Sequence, residues 1–339
     1  MPKVTRLKDV ARRAGVSTAT VSRALNDRGP MSALARDRVL RAARELDYHP
    51  NWLARSLRSR HTDTIGLVVP DIENPFFTSL IKGVEHQASE LGWNVLLANS
   101  DEDIQREESV VRTLVERRID GLVLCPSAGP HAYLAPYVER RLPIVTANRA
   151  LPEFCLPRVI SDNERGAYEA ACHLLAKGLY PLALILGTPG LSTTQTRLAG
   201  CRRAALEFGL GPDGLRLTVG YARTDQGYKA ALECLEGMPR PRAIFAFNNL
   251  MAESALMAIH ARGVRCPEEI ALIGFDDFRS AAALTPPLSV VEQDPVGMGV
   301  RAIEMLAQVI ESGQLAEPEA VIPTRLVVRA SCGCPVTPG

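Results

Sequence analysis

No stretch of about 18 apolar residues occurs in this chain of 339 residues, so no transmembrane helix is expected. The opening Met1-Pro2-Lys3-Val4-Thr5-Arg6 leads into charged sequence with no apolar signal core, which points to a cytoplasmic protein. Catalytic signatures are missing as well: there is no P-loop, no H-E-x-x-H helix and no G-x-S-x-G nucleophile turn. Gly209-Leu210-Gly211-Pro212-Asp213-Gly214 matches G-x-G-x-x-G, but it follows a helical stretch, contains Pro212 and precedes no clear helix, so it reads as a loop. An enzyme is disfavoured on these grounds, and no cofactor is expected. The 8 cysteines are mostly scattered singly among apolar residues, as reduced buried thiols would be. Cys332-Gly333-Cys334 is the one close pair; with no nearby histidine or second pair at zinc spacing, no metal site is expected there. Residues 330–339 carry no leucine heptad, so a tetramerising coiled coil is absent and a dimer is favoured.

What is present is a soluble globular composition, 46% hydrophobic and 23% charged, long enough for two or three domains. The net charge of +1 conceals an asymmetry. Residues 1–61 hold 14 Lys+Arg against 5 Asp+Glu, whereas the remainder holds 25 against 33. A basic head on an acidic body suits a nucleic-acid-binding module joined to something else.

The head reads as a helix-turn-helix. Residues 7–14 and 17–26 are short helices separated by Gly15-Val16-Ser17, where Gly15 can take the positive φ of a tight turn and Ser17 can cap the second helix. Small Ala11 four residues before Gly15 allows close helix approach, and Val10, Ala14, Val16, Val21 and Ala24 supply a core. With Val21 and Ala24 inward, Thr18, Ala19, Thr20, Ser22, Arg23 and Asn26 face outward. Thr18 and Ala19 suit base edges at the helix N-terminus, Arg23 suits a guanine or a phosphate, and the short polar residues suit phosphates. Ser32 caps a third helix over 33–46, with Val39, Leu40, Ala43 and Leu46 expected inside. Residues 51–58 can form a short hinge helix, marginal by itself and ordered on DNA.

From residue 63 short apolar strands alternate with amphipathic helices, the pattern of parallel sheets covered on both faces. Strands are expected at 65–69, 95–98, 121–125, 144–147, 182–186, 243–247 and 271–274. Helices are expected at 77–91, 107–117, 165–177, 198–208, 251–262 and 296–310. Ligands in such folds sit beyond strand C-termini. Several residues there have useful chemistry: Phe76 with a flat face for a sugar ring, Asn148 and Arg149, Arg197 after a polar loop at 192–196, Asn248, and Asp276 as an acceptor for hydroxyls.

Leu7-Lys8-Asp9-Val10-Ala11, Ala14-Gly15-Val16-Ser17, Thr20-Val21-Ser22-Arg23 and Tyr48-His49-Pro50-Asn51 resemble the DNA-binding head of the LacI/GalR family of bacterial transcription regulators. The resemblance continues through Ile65-Gly66-Leu67-Val68-Val69-Pro70-Asp71, Asn74-Pro75-Phe76-Phe77, Asp120-Gly121-Leu122, Arg197-Leu198-Ala199-Gly200 and Gly274-Phe275-Asp276-Asp277, and so spans essentially the whole chain. It implies a repressor that binds near-palindromic operator DNA as a homodimer under control of a small-molecule effector. Its expected fold is α/β, a helix-turn-helix head on a two-lobed periplasmic-binding-protein-like body with parallel sheets. The corresponding domains are a head at 1–50, a hinge at 51–62, a first lobe from 63–162 plus 293–321, and a second from 163–292 plus 322–339, with lobe crossings near 162, 292 and 322.

The same resemblance makes Leu57 a minor-groove wedge, with Arg55 and Arg58 on nearby phosphates, and assigns effector contact to Phe76, Arg197, Asn248 and Asp276. Arg197 and Asp276 are placed to pair across a closed cleft. Asp162, beside a crossing, is structural or ligand-binding. Arg6 replaces a usual capping Thr; Asn249 and Asn148 stand where Asp is frequent. Fewer acids beside two arginines should tilt the pocket positive and favour a sugar acid or sugar phosphate over a neutral sugar. An extracytoplasmic sugar-binding protein is the main rival, and the basic head argues against it.

Overall fold

A computed structural model of the chain describes residues 5–25, 31–48, 61–211, 214–313, 315 and 317–334. They fall into two units, Met1–Thr62 and Asp63–Gly339.

In the first unit α1 (Leu7–Ala14), α2 (Thr18–Leu25) and α3 (Ala33–Glu45) enclose a small core of Val10, Ala11, Ala14, Val21, Ala24, Val39, Ala42 and Ala43. Gly15, at φ 65°, ends α1 in the left-handed conformation that a Cβ would strain. Ser17 Oγ accepts from the Thr20 N–H at 3.1 Å and caps α2. Asp9 accepts from the Arg6 N–H at 3.0 Å, so half of a capping box survives without the usual threonine. Leu40, expected on the inner face of α3, is 36% exposed. The buried stripe is Val39, Ala42 and Ala43, an i, i+3, i+4 set that leaves Leu40 about 100° off it.

The second unit begins with β1 (Thr64–Val69), α4 (Pro75–Glu90), β2 (Asn94–Asn99), α5 (Ile104–Glu116), β3 (Gly121–Leu124), α6 (Ala135–Glu139), β4 (Ile144–Ala147) and β5 (Arg158–Ser161). It continues with α7 (Asn163–Leu175), β6 (Leu182–Leu186), α8 (Ser192–Glu207), β7 (Leu215–Val219), α9 (Thr224–Glu236), β8 (Ala243–Ala246), α10 (Asn249–Ala261), β9 (Ala271–Phe275) and β10 (Ser289–Glu292). Then come α11 (Pro295–Ser312), β11 (Glu319–Ile322) and β12 (Arg325–Val327). Strand β5, the partly exposed β7, β11 and β12, and the four-residue β10 lack a long buried run, which is why apolar patterning overlooked them.

The strands form two six-stranded sheets, ordered β11-β5-β4-β3-β1-β2 and β12-β10-β9-β8-β6-β7. Each sheet is the floor of one lobe. The chain leaves the first sheet after Ser161, returns to it after Glu292, and passes from β11 to β12 between Ile322 and Arg325. All described pairings are parallel except β10 with β12, a departure from the expected parallel sheets. The strand C-termini of both sheets face the cleft. A two-residue link across it therefore delivers β12 into the second sheet from the cleft side, running against its neighbour.

All six helices expected in this unit start earlier than expected, by one to six residues, and α9 was not expected; two of the early starts bear on the cleft. Residues 192–196 are the first turns of α8 rather than a loop. Phe76 lies in the first turn of α4, whose cap Asn74 accepts from the Phe76 N–H at 3.0 Å. Polar side chains on a cleft-facing first turn hide the apolar periodicity that marks the rest of each helix. Gly200 lets α8 lie against α7, because a Cβ there would overlap the Glu164 carbonyl.

The first lobe buries a carboxylate, Glu107, which is fully inaccessible. It accepts from the Ser127 N–H at 2.5 Å and the Tyr133 hydroxyl at 2.6 Å, and lies 3.2 Å from His131 Nε2. Burial alone would raise its pKa, but these partners outweigh burial and hold it below the ordinary carboxylate value. Burial opposes charging of His131, yet Glu107 and then Glu153 raise it above the ordinary histidine value. In the second lobe, His173 meets Cys332 and Cys334, correcting the expectation that the cysteine pair has no histidine nearby.

Candidate functional site

The outward face of α2 carries Thr18, Ala19 and Arg23 exposed, with Thr20 and Ser22 half-buried. Ser17 Oγ and Thr20 Oγ1 share a hydrogen bond of 2.9 Å, so the Thr20 hydroxyl is engaged within its own helix. Asn26, Arg55, Leu57 and Arg58 lie outside the described residues, as does most of the proposed hinge.

Phe76, Asn148, Arg149, Arg197, Asn248 and Asp276 all line one cleft between the lobes. Asn148, Arg149, Asn248 and Asp276 follow strand C-termini, Phe76 lies in the first turn of α4 and Arg197 in the second turn of α8, the end of a parallel fold where polar groups gather. Phe76 is 4% exposed and packs edge-on against Phe77, ring centroids 5.2 Å apart. Asn148 and Asp276 have left-handed backbones, φ 66° and 72°, a conformation Asn and Asp tolerate better than bulky residues. Asn248 is the cap of α10, its Oδ1 accepting from the Met251 N–H at 2.8 Å.

The two arginines differ. Arg149 gives both terminal nitrogens to Glu102, at 2.9 and 2.6 Å, and one also to the Pro126 carbonyl at 2.7 Å. Burial opposes its charge, but Glu102 outweighs burial and raises its pKa. Arg197 donates to Asn163 Oδ1 at 2.8 Å and to the Phe247 carbonyl, and its guanidinium lies 3.5 Å over the Phe275 ring. Its nearest carboxylate, Asp276, is 3.9 Å away, and burial pulls its pKa down to about 10. Burial also pushes the Asp276 carboxyl up, against the pull of Arg197 and a hydrogen bond from Gln293.

Three expectations change. Arg197 and Asp276 sit on α8 and at the end of β9, both in the second lobe, so their pairing does not cross the cleft. Contacts that do cross include Asn249 Nδ2 to Asn74 Oδ1 at 2.9 Å and the Ala150 N–H to Ser192 Oγ at 2.9 Å. The lining is not tilted positive, since Asp71, Glu102 and Asp276 face Arg149 and Arg197. Asp162 does not line the cleft; its side chain accepts from the Arg165 N–H at 3.2 Å and caps α7.

Residue-by-residue reading missed Glu102, Gln293, Thr193 and Thr194 in the lining. Gln293 directly follows β10 and Glu102 comes shortly after β2, so a stricter search of residues beyond strand ends would have found both. Buried Asn148 Oδ1, Gln293 Oε1 and Arg149 Nε have no partner among the described residues. They offer two acceptors and a donor to whatever enters the cleft.

The profile described as "Bacterial regulatory proteins, lacI family" matches residues 6–51, and that described as "Periplasmic binding proteins and sugar binding domain of LacI family" matches residues 62–330. The ribose operon repressor of Halalkalibacterium halodurans is 36% identical over 326 residues, 96% of each chain. Among solved structures, the CelR transcriptional regulator in complex with cellobiose is 32% identical, with a TM-score of 0.74 over 96% of this chain and 99% of that one. The Lac repressor dimer bound to operator and the anti-inducer ONPF is 26% identical, with a TM-score of 0.86 over 97% of this chain and 99% of that one.

Proposed function

The chain belongs to the lacI family of bacterial regulatory proteins, DNA-binding transcription regulators rather than enzymes, and from that premise we propose that it represses a carbohydrate-utilisation operon under control of a neutral sugar. In this reading it works in the cytoplasm as a homodimer on a near-palindromic operator. Residues 1–50 read the DNA and 51–62 form the hinge. The lobes comprise 63–162 plus 293–321 and 163–292 plus 322–339. Thr18, Ala19, Thr20, Ser22, Arg23 and Asn26 contact the major groove and its phosphates, Arg55 and Arg58 hold phosphates beside the centre, and Leu57 opens the central step.

One observation carries the choice of effector. Both cleft arginines already face carboxylates, while three buried polar atoms of mixed donor and acceptor character stand unpartnered around them. A hydroxyl both donates and accepts, so a polyhydroxylated ligand satisfies such a set without importing charge. A sugar acid or phosphate would instead meet Asp71, Glu102 and Asp276. The ribose and cellobiose named for relatives support a sugar of this kind. Effector binding then shifts the population of lobe arrangements, and with it the spacing of the two heads.

Fluorescence anisotropy on a palindromic operator duplex, titrated with neutral pentoses and hexoses, sugar acids and sugar phosphates, tests both levels. A change in operator affinity only with a neutral sugar is expected; a response confined to sugar acids or phosphates rejects the effector assignment and leaves DNA binding intact. Replacing Arg23 with Ala should weaken operator binding about tenfold or more while sugar binding survives; no loss of operator affinity removes Arg23 from the DNA interface.

A further inference from the structure

At the end of the second lobe opposite the cleft, the chain closes on a cluster that the regulatory switch does not use. After β12 it makes a short 3-10 turn, Ala330–Cys332, and Gly333 follows at φ 77°. Ser331 pins this turn: its hydroxyl donates to the Leu272 carbonyl at 2.7 Å and accepts from the Ser289 N–H at 2.8 Å. The turn brings Cys332 and Cys334 to His173 in the last turn of α7. His173 Nε2 lies 3.3 Å from Cys332 Sγ and 3.7 Å from Cys334 Sγ, and the three atoms fit within 4.8 Å of one another.

Around a tetrahedral zinc, bond lengths of about 2.0–2.1 Å to nitrogen and about 2.3 Å to sulfur hold the ligand atoms roughly 3.5 Å apart. The two N···S spacings bracket that value. The donor set, one imidazole and two sulfurs, is the borderline-soft set zinc prefers. Cys332 is fully buried, while His173 and Cys334 are half-buried, leaving one side open to solvent. Lys177 supplies an outer contact, its Nζ donating to Cys334 Sγ at 2.7 Å and to the Cys332 carbonyl at 3.1 Å. Such a donor orients a metal-bound sulfur and offsets its charge.

We propose that His173, Cys332 and Cys334 bind one zinc ion, with water as the fourth ligand. Two Zn–S bonds and one Zn–N bond form, and the thiol protons leave to solvent. The charges of two thiolates and one Zn²⁺ cancel. The ion fastens the Ala330–Cys332 turn to α7 and closes a loop containing nearly all of the second lobe. It acts as a structural clasp, independent of the sugar assignment.

The full-length chain, reduced, stripped with a chelator and titrated with zinc chloride, should take up one zinc per chain and melt several degrees higher. Cobalt(II) in its place should give thiolate-to-metal charge-transfer absorption in the near ultraviolet. Cys332→Ser combined with Cys334→Ser should lower zinc affinity at least about 100-fold, and Lys177→Ala about tenfold, as loss of an outer partner does. Cys334→Ser alone, at a half-buried position near the chain end, checks the result if the double variant misfolds; with native circular dichroism it should still lose at least about tenfold. Cys155→Ser, an exposed thiol elsewhere, should change nothing. Equal zinc affinity in the wild type and a folded Cys334→Ser variant, a cobalt complex without thiolate bands, or uptake of copper(I) but not zinc would overturn the assignment.

Discussion

The two lobes repeat one strand order, β2-β1-β3-β4-β5 and β7-β6-β8-β9-β10, yet bring their arginines to the cleft in opposite electrostatic states. In the first lobe Arg149 is locked in a two-pronged pair with Glu102 and its charge is stabilised. In the second, Arg197 rests on an aromatic ring with its carboxylate 3.9 Å away and its charge is disfavoured. Equivalent topology therefore does not mean equivalent roles. A satisfied buried ion pair has little left to offer a ligand, whereas a buried, weakly compensated charge gains most from a new acceptor. The first lobe thus offers a ligand neutral hydrogen-bonding atoms on a fixed frame, and the second senses charge.

Arg197→Ala tests this contrast most severely. Effector affinity should fall about 100-fold, the scale of a lost hydrogen bond to a buried charge, while operator affinity without effector stays as it was. Calorimetric titration and anisotropy read the two quantities, and an unaltered effector response would dissolve the contrast. Glu102→Gln should show the reverse pattern, losing about 2 kcal/mol in denaturant unfolding, less than a fully buried pair because Glu102 is partly exposed. Its effector affinity should change little; a large loss of binding with unchanged stability would make the first lobe a sensor too.

Asp276 sharpens the comparison through pH. Its carboxyl is raised by burial, so effector affinity should decline as pH falls through that raised value and the acceptor becomes protonated. Asp276→Asn should bind about tenfold more weakly at neutral pH and lose the acid limb of the profile; persistence of that limb would assign it to another group. The smallest effect belongs to the first-lobe core. Because the folded-state pKa of His131 is raised, its contribution to stability is complete below about pH 6.5 and fades as pH rises through the raised value. The contribution of Glu107, whose pKa is lowered, is present above about pH 4.5 and fails as pH falls through the lowered value. His131→Gln should therefore cost a few degrees of melting temperature near pH 6 and less near pH 9, and a constant difference across that range would exclude the titration.

The turn and core of the first two helices were legible because their contacts are local. Gly15, Ser17 and the apolar stripe of α1 and α2 act on neighbours three or four positions away, and patterning reports that distance. Leu40 failed because the choice between it and Ala42 is made by where α3 lies on the other two helices. In the body, the central buried strands and six of the long helices could be read from their apolar runs, though α9 was overlooked, and the rule that ligands gather beyond strand ends located six residues of the lining. The same reading took the start of α8 for a loop, since threonines turned toward a cleft look like threonines turned toward water.

The order of residues thus determined which segments curl or extend and which carry usable chemistry, because those preferences are set by each side chain and its near neighbours. Only the folded chain decided which groups meet. Glu102 neutralises Arg149 across 47 positions, Asn74 bonds Asn249 across 175, and His173 reaches Cys332 across 159. Charge, hydrogen bonding and metal affinity act over a few ångströms of space, and no local periodicity encodes separations of that size along the chain.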